Sequence, residues 1–128
     1  MALDHGISSH TLAVAQKLCA EGGSITALHV FEAMSGAVAT YVDRDMIEEG
    51  FERAKAELTA KTQDLPGVQP QIVKGHTYRT IIDFAAEHGV ECIVIGSHKP
   101  GLSDYLLGST AARVVRHAPC AVHVYRSS

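Results

Sequence analysis

The stretch CIVIGSHKPGLSDYLLGSTAARVVRHAPCAVHVY, residues 92–125, holds one complete folding unit. CIVI (92–95) is an apolar run too short for a helix and reads as a buried strand, which Gly96 ends. From Ser109 the spacing predicts a helix over 109–117, with Val114 and Val115 buried and Arg116 and His117 in its last turn, where cations suit the helix dipole. A second apolar run, CAVHVY (120–125), follows at once. Strand, helix and strand in this succession make a right-handed crossover between parallel strands.

Working back along the chain, the same alternation repeats. Strands are expected at 1–3, 24–30 and 69–74. The first helix is expected from Ser8 or Ser9 to the Gly22-Gly23 pair, burying Leu12, Ala15, Leu18 and Cys19. A longer one, about 40–63, places Ile47, Phe51, Ala54 and Leu58 on one side and its charges on the other. A third, 77–88, buries Tyr78, Ile81, Ile82 and Ala85 and stops at Gly89 with Val90 behind it. Pro70 lacks a ladder donor, so the third strand belongs at a sheet edge. The order 3-2-1-4-5 puts it there, giving an α/β fold with a doubly wound, open parallel sheet in one domain, 1–128. The first strand is shorter than strands usually are; either it is truncated or residues upstream of it are missing from the sequence.

Composition narrows the function classes. The 128 residues suffice for one self-supporting core, and no apolar run approaches the roughly 20 residues of a membrane span. A net charge of −3 gives no general attraction to nucleic acid. Cys19, Cys92 and Cys120 form no C-x-x-C pair and read as small buried hydrophobes of a reducing compartment. With no basic-then-apolar leader in MALDHGISS, a cytoplasmic location is expected. The eight histidines are dispersed, and no protein metal site is expected from them.

In doubly wound sheets ligands bind beyond the carboxyl ends of the strands, where the order reverses; here that point lies between strands one and four, near Asp4 and Gly96. Gly108 stands directly before a helix whose first amides lack partners, and Ser109 and Thr110 add hydroxyl donors. Lys99, with Arg113, would supply cations. Two readings stay open on spacing alone: a phosphate cradle, and an ordinary capped helix start. There is no Walker A run and no G-x-G-x-x-G after strand one. Asp4 likewise reads either as a turn or capping carboxylate or as an acceptor for an adenine amino group or a bridge to a phosphate-bound Mg²⁺. His98 lies in the same loop, and its plain reading is a solvent-facing side chain.

The stretch from Val73 to Arg126 resembles the C-terminal half of universal stress proteins, and ALDHGISSHTLAVAQKLC resembles their first strand-to-helix turn. ATP-binding members carry a glycine, two residues, a second glycine, nine residues, and then Gly followed by Ser or Thr. Gly96, Gly108 and Ser109 match; Lys99 stands where the second glycine would be, and the loop is one residue shorter, a form that looks like another ATP-associated branch. The resemblance implies a Rossmann-like fold of the adenine nucleotide alpha hydrolase-like type. It also implies ATP, ADP or AMP as ligand: Ala2, Leu3, Asp4 and Val30 at the adenine, Gly96 at the ribose, and Gly108, Ser109 and Thr110 at the phosphates, with His98 and Lys99 in the enclosing loop and Mg²⁺ reached by Asp4 only through the nucleotide. The last strand, Ala121, Val122, His123, Val124 and Tyr125, is apolar and expected at a sheet edge, and pairing with its twin would cover it. The family commonly dimerises this way, so a homodimer is expected.

No nucleophile is paired with a base in the sequence pattern, so no catalytic residue is assigned and the chemistry is at most slow ATP hydrolysis. The leading expectation is a regulatory, stress-response dimer that binds ATP, with no identified client. One alternative is an interaction scaffold with an empty pocket. Another is an ATP-cleaving or adenylyl-transferring enzyme, which would be expected to show SGGxDS or a HIGH-like signature where this chain has DHGISSH.

Overall fold

The structure is a computed structural model that describes residues 2–3, 9–32, 44–97 and 107–125. Along the chain these form β1 (Ala2–Leu3), α1 (Ser9–Leu18), β2 (Ile25–Phe31), α2 (Arg44–Thr62), β3 (Val68–Lys74), α3 (Thr77–Glu87), β4 (Cys92–Gly96), α4 (Ser109–His117) and β5 (Ala121–Tyr125). All strand pairings are parallel. One ladder runs β1-β2-β3 and a second β4-β5. No ladder joins β1 to β4 among the described residues, although the two strands are in contact.

Two buried clusters show how the helices are wound. Leu12 and Ala15 of α1 and Leu58 of α2 pack with Ile25, Ala27, Val68 and Val94 on one face. Ile81 and Ala85 of α3 and Ala111 and Val114 of α4 pack with Leu28, Val30, Ile93 and Ile95 on the other. The alternation along β2 and β4 is the period-two pattern of a strand covered on both faces. Helices therefore change sides of the sheet between the first half of the chain and the second.

Backbone hydrogen bonds fix which way each strand residue turns. The Ile25 N–H donates to the Gly67 carbonyl at 3.0 Å and the Gly75 N–H to the Phe31 carbonyl at 3.1 Å. Odd-numbered residues of β3 thus face β2. Val68, Pro70, Ile72 and Lys74 turn their backbone groups away from it, and the ring of Pro70 sits where no donor is used. Among the described residues β3 pairs on one side alone, with β2, as expected of a strand that carries this proline.

The stop of α3 also follows expectation: Gly89 takes φ 61°, and the Val90 N–H reaches back 3.0 Å to the Ala85 carbonyl. Three expectations need correction. Leu18 is 51% exposed, because Thr11, Leu12 and Ala15 set the buried line of α1 and Cys19, four residues beyond Ala15, continues it. Val115 is 48% exposed, because the stripe of α4 is only as wide as Ala111 and Val114, one turn apart. All three cysteines are half-buried at the margins of the clusters rather than inside them.

Candidate functional site

β1 ends beside His29, β2 ends at Phe31 and β4 at Gly96, so their carboxyl ends share one rim of the molecule. Gly108 joins them there, its N–H donating to the Ser97 carbonyl at 2.9 Å. The rim therefore gathers Ala2, Leu3, Val30, Gly96, Gly108, Ser109 and Thr110. Asp4, His98 and Lys99 lie outside the described residues. The Val30 side chain is 5% exposed and belongs to the cluster beneath α3 and α4, so its backbone is what it can offer at the rim.

Two of the helix starts on this side, those of α3 and α4, differ in what holds them. At α3 the cap residue His76 makes no side-chain cap bond. Glu32, just past β2, supplies the acceptor instead. Its Oε1 takes the Thr77 N–H at 2.7 Å and the Thr77 hydroxyl at 2.5 Å. A carboxylate there satisfies open amides and meets the positive end of the helix dipole.

At α4 the cap is Gly108, which has no side chain to give. The first helical bond runs from the Ala112 N–H to the Gly108 carbonyl at 2.9 Å. The amides of Ser109, Thr110 and Ala111 precede it, and none has a backbone or side-chain acceptor among the described residues. Gly108 has φ −57° and ψ 150°, open to any residue, and an added Cβ would meet only the Ser97 carbonyl oxygen, at 3.4 Å. Backbone geometry does not demand glycine here. Arg113 is directed elsewhere, its guanidinium 5.1 Å from the Tyr78 ring centre on α3.

Gly96 has a structural reason to be glycine that sequence reading missed. A Cβ there would lie 3.3 Å from the Tyr125 ring. That ring crosses the end of β4 on the α1 face, and the Thr11 hydroxyl donates to the Tyr125 hydroxyl oxygen at 2.6 Å. The register Gly96↔Tyr125 is the signal that would have found the pair. Cys120, before β5, lies at the opposite end of the strands; burial, and then the nearby Cys92, push its thiol above the ordinary range. Among the described residues no group of three or more His, Cys, Asp or Glu side chains is arranged to hold a metal.

The sequence matches the Universal stress protein family over residues 2–126. The chain belongs to the universal stress protein family. Universal stress protein G of Salmonella typhimurium is 30% identical over 128 residues, covering 94% of this chain and 89% of that protein. Among solved structures, the universal stress protein UspA of Lactobacillus plantarum superposes with a TM-score of 0.72 at 24% identity, covering 98% of this chain and 97% of that one. A universal stress protein family member from Arabidopsis thaliana, solved with AMP bound, superposes with a TM-score of 0.62 at 16% identity, covering 100% and 92%. Both likenesses are of fold, and with it the α/β architecture of parallel strands and covering helices is that of universal stress proteins. No described helix of this universal stress protein is long and apolar enough to cross a membrane.

Proposed function

We propose that this universal stress protein binds an adenine nucleotide at the rim, in one domain whose sheet runs 3-2-1-4-5, and acts as a regulatory homodimer of the cytoplasm rather than as a fast enzyme. One observation carries the reading. The three opening amides of α4 are offered at the carboxyl ends of the strands without an acceptor among the described residues, while the equivalent seat on α3 is filled by Glu32. Phosphate oxygens would complete the α4 start by the same physics that the carboxylate uses at α3.

In this reading Gly108, Ser109 and Thr110 hold the phosphates, Gly96 borders the ribose, and Ala2, Leu3, Asp4 and Val30 border the adenine. His98 and Lys99 close the loop over the nucleotide. ATP, ADP and AMP all present the required anion, and Mg²⁺ would enter only with the nucleotide, beside Asp4. The Arabidopsis thaliana relative solved with AMP supports an adenylate as the ligand class. The homodimer would form through Ala121, Val122, His123, Val124 and Tyr125.

The test is to purify the protein without added nucleotide, identify any bound small molecule by mass spectrometry, and titrate the stripped protein calorimetrically with AMP, ADP and ATP. A ligand at about 100 times Kd stabilises the fold by about 2.7 kcal/mol, and Gly108→Val should lose that shift while keeping its circular dichroism. Heat from none of the three adenylates would remove the assignment. The second reading, an interaction scaffold with no nucleotide, has its own support: Tyr125 and Thr11 already occupy the α1 side of Gly96. The same titration separates the two.

A further inference from the structure

Away from the rim, a groove of about 260 Å³ lies between α2 and the edge of β3 that has no strand partner among the described residues, lined by Phe51, Lys55, Leu58, Thr59, Pro70, Gln71 and Ile72. Its walls are built from the sequence in register. Leu58 is buried at its floor, and Lys55 and Phe51 lie one and two turns before it on α2. Val68, Pro70, Ile72 and Lys74 share the face of β3 that meets α2, and by the alternation described above the same four turn their backbone groups outward. Val68 has already used its N–H, on the Leu65 carbonyl at 3.4 Å, and Pro70 has none. What remains at the edge is the N–H of Ile72 and of Lys74 and the carbonyls of Pro70, Ile72 and Lys74. These are the groups that an added strand pairs with.

The charged side chains that meet the groove are lysines. Lys74 places its ammonium 4.7 Å from the centre of the Phe51 ring, and Lys55 lines the groove itself; neither makes an ion pair among the described residues. Among the described residues no carboxylate lines it. A second copy of this edge would bring lysine against lysine and find Pro70 without a donor, so the edge is guarded against its own twin. The same two lysines attract an acidic strand.

The geometry points to β3 from Pro70 to Lys74, with this groove, as a docking site for an extended acidic peptide of another protein. The peptide pairs with the backbone of Ile72 and Lys74, seats one apolar side chain on Phe51, Leu58 and Ile72, and sets a neighbouring Asp or Glu against Lys55 and Lys74. The site is independent of the nucleotide reading.

Panning a random heptapeptide library against the immobilised full chain tests this, followed by titration of the consensus peptide, synthesised with blocked ends, into ¹⁵N-labelled protein. The expected consensus has an apolar residue flanked by Asp or Glu, and the peptide shifts the amides of Ile72 and Lys74. Two variants keep the fold in view. Thr59→Trp fills the groove from an exposed position on α2, and the pair Lys55→Glu with Lys74→Glu reverses its charge; each should weaken the peptide by about tenfold or more with unchanged circular dichroism. No consensus, a basic one, or a peptide that binds both variants as tightly as the parent would overturn the proposal.

Discussion

At the residue scale, most of what the rim does is decided by single polar atoms. Tyr125→Phe removes the acceptor for the Thr11 hydroxyl and should cost about 1 kcal/mol in a urea titration, the ordinary worth of one partly buried hydrogen bond. Gly96→Ala pushes a methyl into the same ring and should cost about 1–3 kcal/mol; in the Tyr125→Ala background, where the ring is gone, that cost should largely vanish. Cys120 offers a pH readout. Because burial raises its thiol, the folded chain holds this proton at alkaline pH values where the unfolded chain has released it, so the group favours unfolding as pH climbs. Iodoacetamide should accordingly label Cys120 more slowly in the native protein than in urea at the same mildly alkaline pH, with peptide mapping as the measurement.

At the element scale, the two helix starts can be set against each other. Glu32→Ala strips the cap from α3 and should cost about 1 kcal/mol. Ser109→Asp does the reverse at α4. A carboxylate in the first turn stabilises the helix by about 0.3–1 kcal/mol, yet it occupies the seat proposed for phosphate and should weaken any adenylate. Stability and affinity moving in opposite directions, by thermal melts and calorimetry on one protein, would be the mark of a binding seat. The elements themselves were largely legible in the sequence, because Gly89, Pro70 and the apolar spacing of α3 and α4 act locally. The bounds of α4 agree at both ends. The Thr11–Tyr125 contact was not legible, since nothing local in either segment points to the other. Glu32 was missed for the same reason: the helix it caps lies 45 residues along the chain. The exposure of Leu18 and Val115 turns on which of two adjacent lines of each helix the packing buries, a choice that apolar spacing alone leaves open.

At the scale of the whole molecule, β3 and β5 each keep one side without a strand partner among the described residues, and the two sides differ. The Ser97 N–H donates to the Tyr125 carbonyl at 2.9 Å, so Ala121, His123 and Tyr125 face β4 while Val122 and Val124 turn their backbone outward. If β5 joins two copies as proposed, light scattering should give twice 13.7 kDa. Val122→Pro, which removes an outward N–H and spares the ladder to β4, should halve that mass. Proline and lysine set β3 against the same use. The Thr11–Tyr125 bond, meanwhile, spans 114 positions of sequence. Closing so long a loop is worthwhile only once the sheet between its ends exists, so the bond belongs to the downhill side of the folding barrier. Tyr125→Phe should therefore leave the refolding limb of a chevron where it is and lift the unfolding limb: the hydroxyl acts as a late-closing clasp, governing how long the native protein lasts rather than how fast it forms.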